Sequence, residues 1–151
     1  MLWQIELGIY QTAARYEDVI RKSDIHISIT RGAELTLRSK DFVCETVRTE
    51  VELRDISIDE LGFKDGAFYE QILKHAEEKK YRVCPLEVGP AIRLAHRAQP
   101  HGQGYVIASQ PCSGRLFQIY RDSLGLTLGS LSLPSRQFLV DTSMRLLLVQ
   151  Y

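Results

Sequence analysis

The chain is 151 residues long, 44% hydrophobic and 25% charged, and its 19 Lys and Arg balance 19 Asp and Glu. That composition excludes collagen-like, disordered and disulfide-scaffold chains, and the length suits one globular domain able to bury roughly 70% of its unfolded surface. Zero formal charge disfavours a nucleic-acid binder, which needs surplus Lys and Arg to meet phosphates.

Cys44, Cys84 and Cys112 are an odd set whose separations match neither a disulfide framework nor a zinc site, so reduced thiols in a cytoplasmic protein are expected. The opening Met1-Leu2-Trp3-Gln4-Ile5-Glu6 lacks the basic and apolar regions of an export signal. The longest apolar runs, such as Leu146-Leu147-Leu148-Val149, fall far short of the roughly 20 residues that cross a bilayer, and no membrane association is expected. With no repeat and no Gly/Ser linker, residues 1–151 read as a single domain. Charge is uneven along it: residues 41–80 carry 11 acidic and 6 basic side chains, whereas 81–121 carry 1 acidic and 5 basic.

In chain order, Tyr10, Ala13, Tyr16, Val19 and Ile20 recur at three- and four-residue steps and predict an amphipathic helix over 10–22. Residues 25–29 and 34–38 alternate apolar and polar around Arg31-Gly32, the pattern of a hairpin, and 46–54 alternates as a further strand. Ser57-Ile58-Asp59-Glu60 has capping-box spacing and Gly62 supplies a left-handed stop, so one helical turn is expected there. Asp65 then caps a helix over 66–80 whose buried stripe is Phe68, Ile72, Leu73 and Ala76. Pro85 and Pro90 punctuate the next stretch, read as a helical turn and then extended chain. From Tyr105 onward, five short apolar runs separated by Gly, Asp and Pro predict an antiparallel meander. The sum is an α+β domain: two main helices packed on a mostly antiparallel sheet of about five to seven strands.

The densest group of chemistry-bearing residues is Cys84, Glu87, Arg93, His96, Gln99 and His101, gathered around the two prolines. Glu87, Arg93, His96, Gln99 and His101 are therefore the candidate ligand-binding residues. Glu87 would act as a general base or as the anionic partner of Arg93, with His96 or His101 as the proton carrier, since imidazole changes charge near neutral pH; the alternative is that Glu87 caps or pairs with Arg93 across a Pro-fixed turn and the histidines lie on the surface. Cys84 before a helix start and Cys112 in a turn are weaker nucleophile candidates. No Gly-rich phosphate cradle and no metal-ligand spacing occurs, so neither cofactor nor metal is expected. Arg93, Arg97, Arg115 and Arg121 beside Tyr105, Phe117 and Tyr120 suggest a nucleic-acid face, but strand alternation sends Phe117 and Tyr120 to opposite sides.

Glu60-Leu61-Gly62-Phe63, Gly66-Ala67, Cys84-Pro85-Leu86-Glu87-Val88-Gly89-Pro90, Arg93-Leu94, Gln99-Pro100 and Ile107-Ala108 form an ordered set. It resembles a widespread family of small bacterial proteins of unknown function that share an ELGF–GA–CPxEVGP–LRL–QP–IA order of motifs. Gly125-Leu126-Thr127-Leu128 and Arg136-Gln137-Phe138-Leu139-Val140 extend the likeness, which covers about residues 41–141. The chain departs from the pattern at His96, where an aromatic is usual, at Gln103-Gly104, and at Ser109. The tail 142–151 has no counterpart and suggests an extra strand. The resemblance implies a compact bacterial domain and no mechanism. The functional expectation is a non-enzymatic module binding a protein or small molecule through residues 84–103, with a small hydrolase or transferase using Glu87 and His96 or His101 as the alternative.

Overall fold

In the computed structural model, residues 2–133, 139–140 and 144–150 are described. The elements in order are β1 (Leu2–Leu7), α1 (Ala13–Arg21), β2 (Ile27–Ile29), α2 (Arg31–Leu37), β3 (Thr49–Ser57), β4 (Ala67–Phe68) and α3 (Tyr69–Glu78). They continue with β5 (Tyr81–Arg82), α4 (Val88–Ala95), β6 (Gly104–Ile107), β7 (Arg115–Asp122), β8 (Gly125–Ser132), β9 (Leu139–Val140) and β10 (Arg145–Gln150).

The α+β class agrees with the patterning, but four helices stand where two were expected and the main sheet is mixed. Its strand order is β1-β3-β10-β6-β7-β8-β2, with β5 on the β10 edge beyond β6. The pairings β10–β6 and β2–β8 are parallel. Parallel neighbours need long crossovers, and periodicity within a strand carries no information about them. β6, β7 and β8 pair antiparallel in chain order as the meander predicts; β9 pairs instead with β4, and β10 lies between β3 and β6. The tail is thus a central strand, and Leu146, Leu147, Leu148 and Val149 are all buried because both faces of it are covered. Leu147 and Val149 join the core under α1, α2 and α4, while Leu146 and Leu148 join the one under α3.

Residues 34–38, read as a strand, belong to α2. The helical signal was also present: Thr30 caps the helix by accepting from Ala33 N at 3.3 Å, and Ala33, Thr36 and Leu37 are buried at three- and four-residue spacing. Glu17 on α1 accepts from Arg38 Nε at 3.1 Å and Nη2 at 2.8 Å, so the two helices are laced together at their surface. The helix expected from Asp65 begins at Tyr69, because Ala67 and Phe68 pair with β9 first; Phe68, expected in the buried stripe, is exposed and Tyr69 is buried instead, while Gln71 Oε1 accepts from Phe68 N at 3.1 Å. Around Ser57 the turn forms as expected, with Glu60 N donating to Ser57 Oγ at 3.0 Å and Gly62 at φ +96°. No described helix is long and apolar enough to cross a membrane.

Candidate functional site

The segment 84–103 holds a full helix where a turn and extended chain were expected. Pro85 opens it: Val88 N donates to Pro85 O and Gly89 N to Leu86 O, both at 3.1 Å. Pro90 is the third residue of α4, where an N–H has no intrahelical acceptor and its loss costs little. All residues from Val88 to Arg93 are buried, since α4 is wedged between α1 and the sheet. Gly89 permits that approach; a methyl there would overlap the Phe117 ring. Phe117 itself is core, which removes it from any stacking face, and Arg93 is likewise inside.

Glu87 is fully buried at the N-terminal end of α4. Its Oε2 accepts from Gly8 N at 2.7 Å and from the Tyr16 hydroxyl, and its Oε1 accepts from Glu45 N at 2.7 Å. One carboxylate therefore ties down the end of β1, α1 and the 43–48 loop. Its charge is met by backbone N–H dipoles, a phenol and the positive end of α4 rather than by a cation. Burial and the adjacent carboxylate push the Tyr16 phenol well up, and the same two causes raise the Cys44 thiol to about 11.

Arg93 is also fully buried, near the other end of α4. Its Nη1 donates to Gln99 Oε1 at 2.7 Å, Thr127 O at 3.2 Å and Tyr120 O at 3.3 Å, and its Nη2 donates to the His96 carbonyl at 2.6 Å. Its Nε has no hydrogen-bond partner among the described residues. Burial pulls the guanidinium down to about 10. Gln99, buried beside it, donates from Nε2 to Gln103 O at 3.1 Å and Ile119 O at 3.3 Å. Arg93 and Gln99 thus clamp the end of α4 onto β7 and β8.

The expected Glu87–Arg93 pair does not form: the two charges share no partner, and each spends its hydrogen bonds chiefly on main chain. Nor is a histidine among the partners of Glu87, as the hydrolase or transferase alternative requires. His96 is half-buried, with Nε2 3.3 Å from Gln103 Oε1 and its ring 5.4 Å from that of Trp3. His101 is exposed in the turn before β6. Cys84 is buried with Sγ 3.3 Å from Leu147 O, and burial raises its thiol; Cys112 is buried in a bridge with Arg115. Among the described residues no three His, Cys, Asp or Glu side chains are grouped to hold a metal.

What the buried segment does present outward is one wall of a groove. Leu94 and Arg97 face Tyr10, Arg15, Asp18, Val19, Lys22 and Asp24 across a cavity of about 610 Å³ between α4 and α1. Lys22 pairs with Asp18 at 3.0 Å, and Arg97 pairs with Asp24. Arg15 has no ion-pair partner among the described residues. It also stands in the first turn of α1, the end at which the helix dipole disfavours a cation. Sequence reasoning passed over Arg15 because it occupies the polar face of a helix, where charge is ordinary; its place as a cation in the first turn was the one available signal. Comparison with protein families, curated proteins and solved structures finds no match to this chain.

Proposed function

We propose that the chain is a non-enzymatic binding module of the bacterial cytoplasm that takes an anionic group of a protein or small molecule in the α1–α4 groove. The observation that carries this reading is Arg15: a cation opposed by the helix dipole, free of an acidic partner among the described residues, on the wall of a groove whose other cations are paired. Tyr10, Val19 and Leu94 supply apolar contact beside it, the mixture of an apolar wall and few polar anchors that small-ligand sites use. The commitment of Glu87, Arg93 and Gln99 to main chain supports the non-enzymatic side. The same accounting supports reading CPxEVGP in the resembling bacterial family as a folding signature: here its Glu and Gly hold α4 in place and its Cys is buried against β10.

The test is a titration of ¹⁵N-labelled protein with 3-phenylpropionate and with the uncharged 3-phenylpropanamide. Saturable shifts centred on Arg15, Val19 and Leu94 are expected for the carboxylate, at least tenfold weaker for the amide and for Arg15→Gln. Equal binding of the two probes, or shifts centred elsewhere, would refute the reading.

A further inference from the structure

The two ends of the main sheet differ. β2 is three residues long and turns straight into α2, so little backbone is left to pair. β1 is six residues long, pairs with β3 alone among the described residues, and carries neither proline nor glycine; its one charge, Glu6, lies 3.7 Å from Arg48 Nε. Long apolar edges are normally blunted by charge, proline or a covering element because their free N–H and C=O groups recruit another strand. Among the described residues no second strand pairs with this one, and α4 packs beside it. An apolar groove of about 280 Å³ runs beside it, lined by Ile5, Ile9, Tyr10, Leu94 and Ala95 among others. Ile9 is 41% exposed there, and Val47, in the loop against Gly8, is 68% exposed.

We propose that β1 is a self-association edge, pairing antiparallel with β1 of a second copy across a twofold axis at Ile5. The argument is register. An isologous pair must centre on one residue, so that opposed side chains share a face. Centred on Ile5, Trp3 opposes Leu7 and Ile5 opposes Ile5 on the face that carries the core, while Gln4 opposes Glu6 on the exposed face, twice by symmetry. Each exposed pair sets an amide, which within its own chain donates to Glu52 at 3.3 Å, against a carboxylate that lies 3.7 Å from Arg48. Centred on Glu6, the exposed face instead opposes two carboxylates, which destabilises a ladder. Centred on Gln4, that residue opposes its own copy and the Gln4–Glu6 pairs are lost. The sequence of β1 is thus complementary to itself in one register. This proposal rests on the register of β1 and not on the anion site, with which its groove shares Tyr10 and Leu94.

The experiment measures oligomeric state by sedimentation equilibrium between 1 and 200 µM, with Trp3, the single tryptophan, as a fluorescence reporter on the pairing strand. Wild type is expected to dimerise across that range with a concentration-dependent Trp3 emission shift. Gln4→Glu sets carboxylate against carboxylate and should weaken association at least tenfold, whereas Gln4→Lys sets ammonium against carboxylate and should tighten it in low salt. Thermal melts confirm that both variants fold. A monomer at 200 µM, a dimer that leaves Trp3 emission unchanged, or a dimer equally tight in both variants overturns the proposal.

Discussion

Replacing Glu87 by glutamine tests the central structural claim, that one buried carboxylate pins three segments. The change keeps size and shape but converts one acceptor oxygen to an NH₂ donor. The amide oxygen can still serve Gly8 N and the Tyr16 hydroxyl; the NH₂ then faces Glu45 N, donor against donor. The opposite rotamer orphans Gly8 N and Tyr16 instead. Either way at least one backbone donor is left unpaired, which costs about 1–3 kcal/mol, and the surviving bonds fall from charge-assisted to neutral strength, about 1 kcal/mol more. Relief of the buried charge offsets part of this. A net loss of about 2–3 kcal/mol is expected, or roughly 4–12 °C in Tm for a chain of this size. Urea unfolding measures the loss, and amide exchange locates it: Gly8 and Glu45 should exchange faster while the β7–β8 hairpin is unchanged. A loss below about 0.5 kcal/mol with unaltered exchange at both amides would show that the carboxylate is not the pin and that the reasoning fails.

Arg93→Lys keeps the charge yet replaces a planar fork reaching four acceptors with one ammonium, so urea unfolding should register a loss of about 2 kcal/mol; a neutral result would mean that charge alone holds α4 to the hairpin. Gly89→Ala should cost about 1–3 kcal/mol by overlapping Phe117, and adding Phe117→Leu should recover part of it; simple additivity of the two would place the strain elsewhere. Cys44, held at about 11, should react slowly with iodoacetamide at pH 8 and speed up toward pH 11, and Glu87→Gln should move that profile down; half-maximal rate at an ordinary thiol pH would refute the assignment. Cys44, Cys84, Tyr16 and Tyr69 all bind their protons more tightly folded than unfolded, so their contribution to stability is complete below pH ~9 and declines above it. Unfolding free energy that rises between pH 9 and 10.5 would contradict those shifts.

Local chemistry made much of the fold legible. The amphipathic periods of α1 and α3, the Ser57 turn, and the β7–β8 run all appear close to where their residue patterns put them, because side-chain period and turn residues act over a few positions. The same local view misplaced α2, since Glu34-Leu35-Thr36-Leu37-Arg38 satisfies a strand pattern and a helix pattern at once; the Thr30 cap and the packing of Ala33 and Leu37 decide it. The start of α3 moved because β9, distant in sequence, claims Ala67 and Phe68.

The candidate site shows the division most clearly. Composition and motif density marked residues 84–103 as unusual, and they are: Glu87, Arg93 and Gln99 are polar groups buried and hydrogen-bonded within the core. Whether such residues meet a ligand or their own backbone depends on where Gly8, Glu45, Tyr120 and Thr127 arrive, and those partners lie 27 to 79 positions away along the chain. The order of polar and apolar residues decided the class of structure and most of its elements. Tertiary structure alone decided that β10 is central, that β1 is an edge, and that the charges around the two prolines face inward, because a buried polar group must be satisfied by whatever long-range packing brings within hydrogen-bond reach.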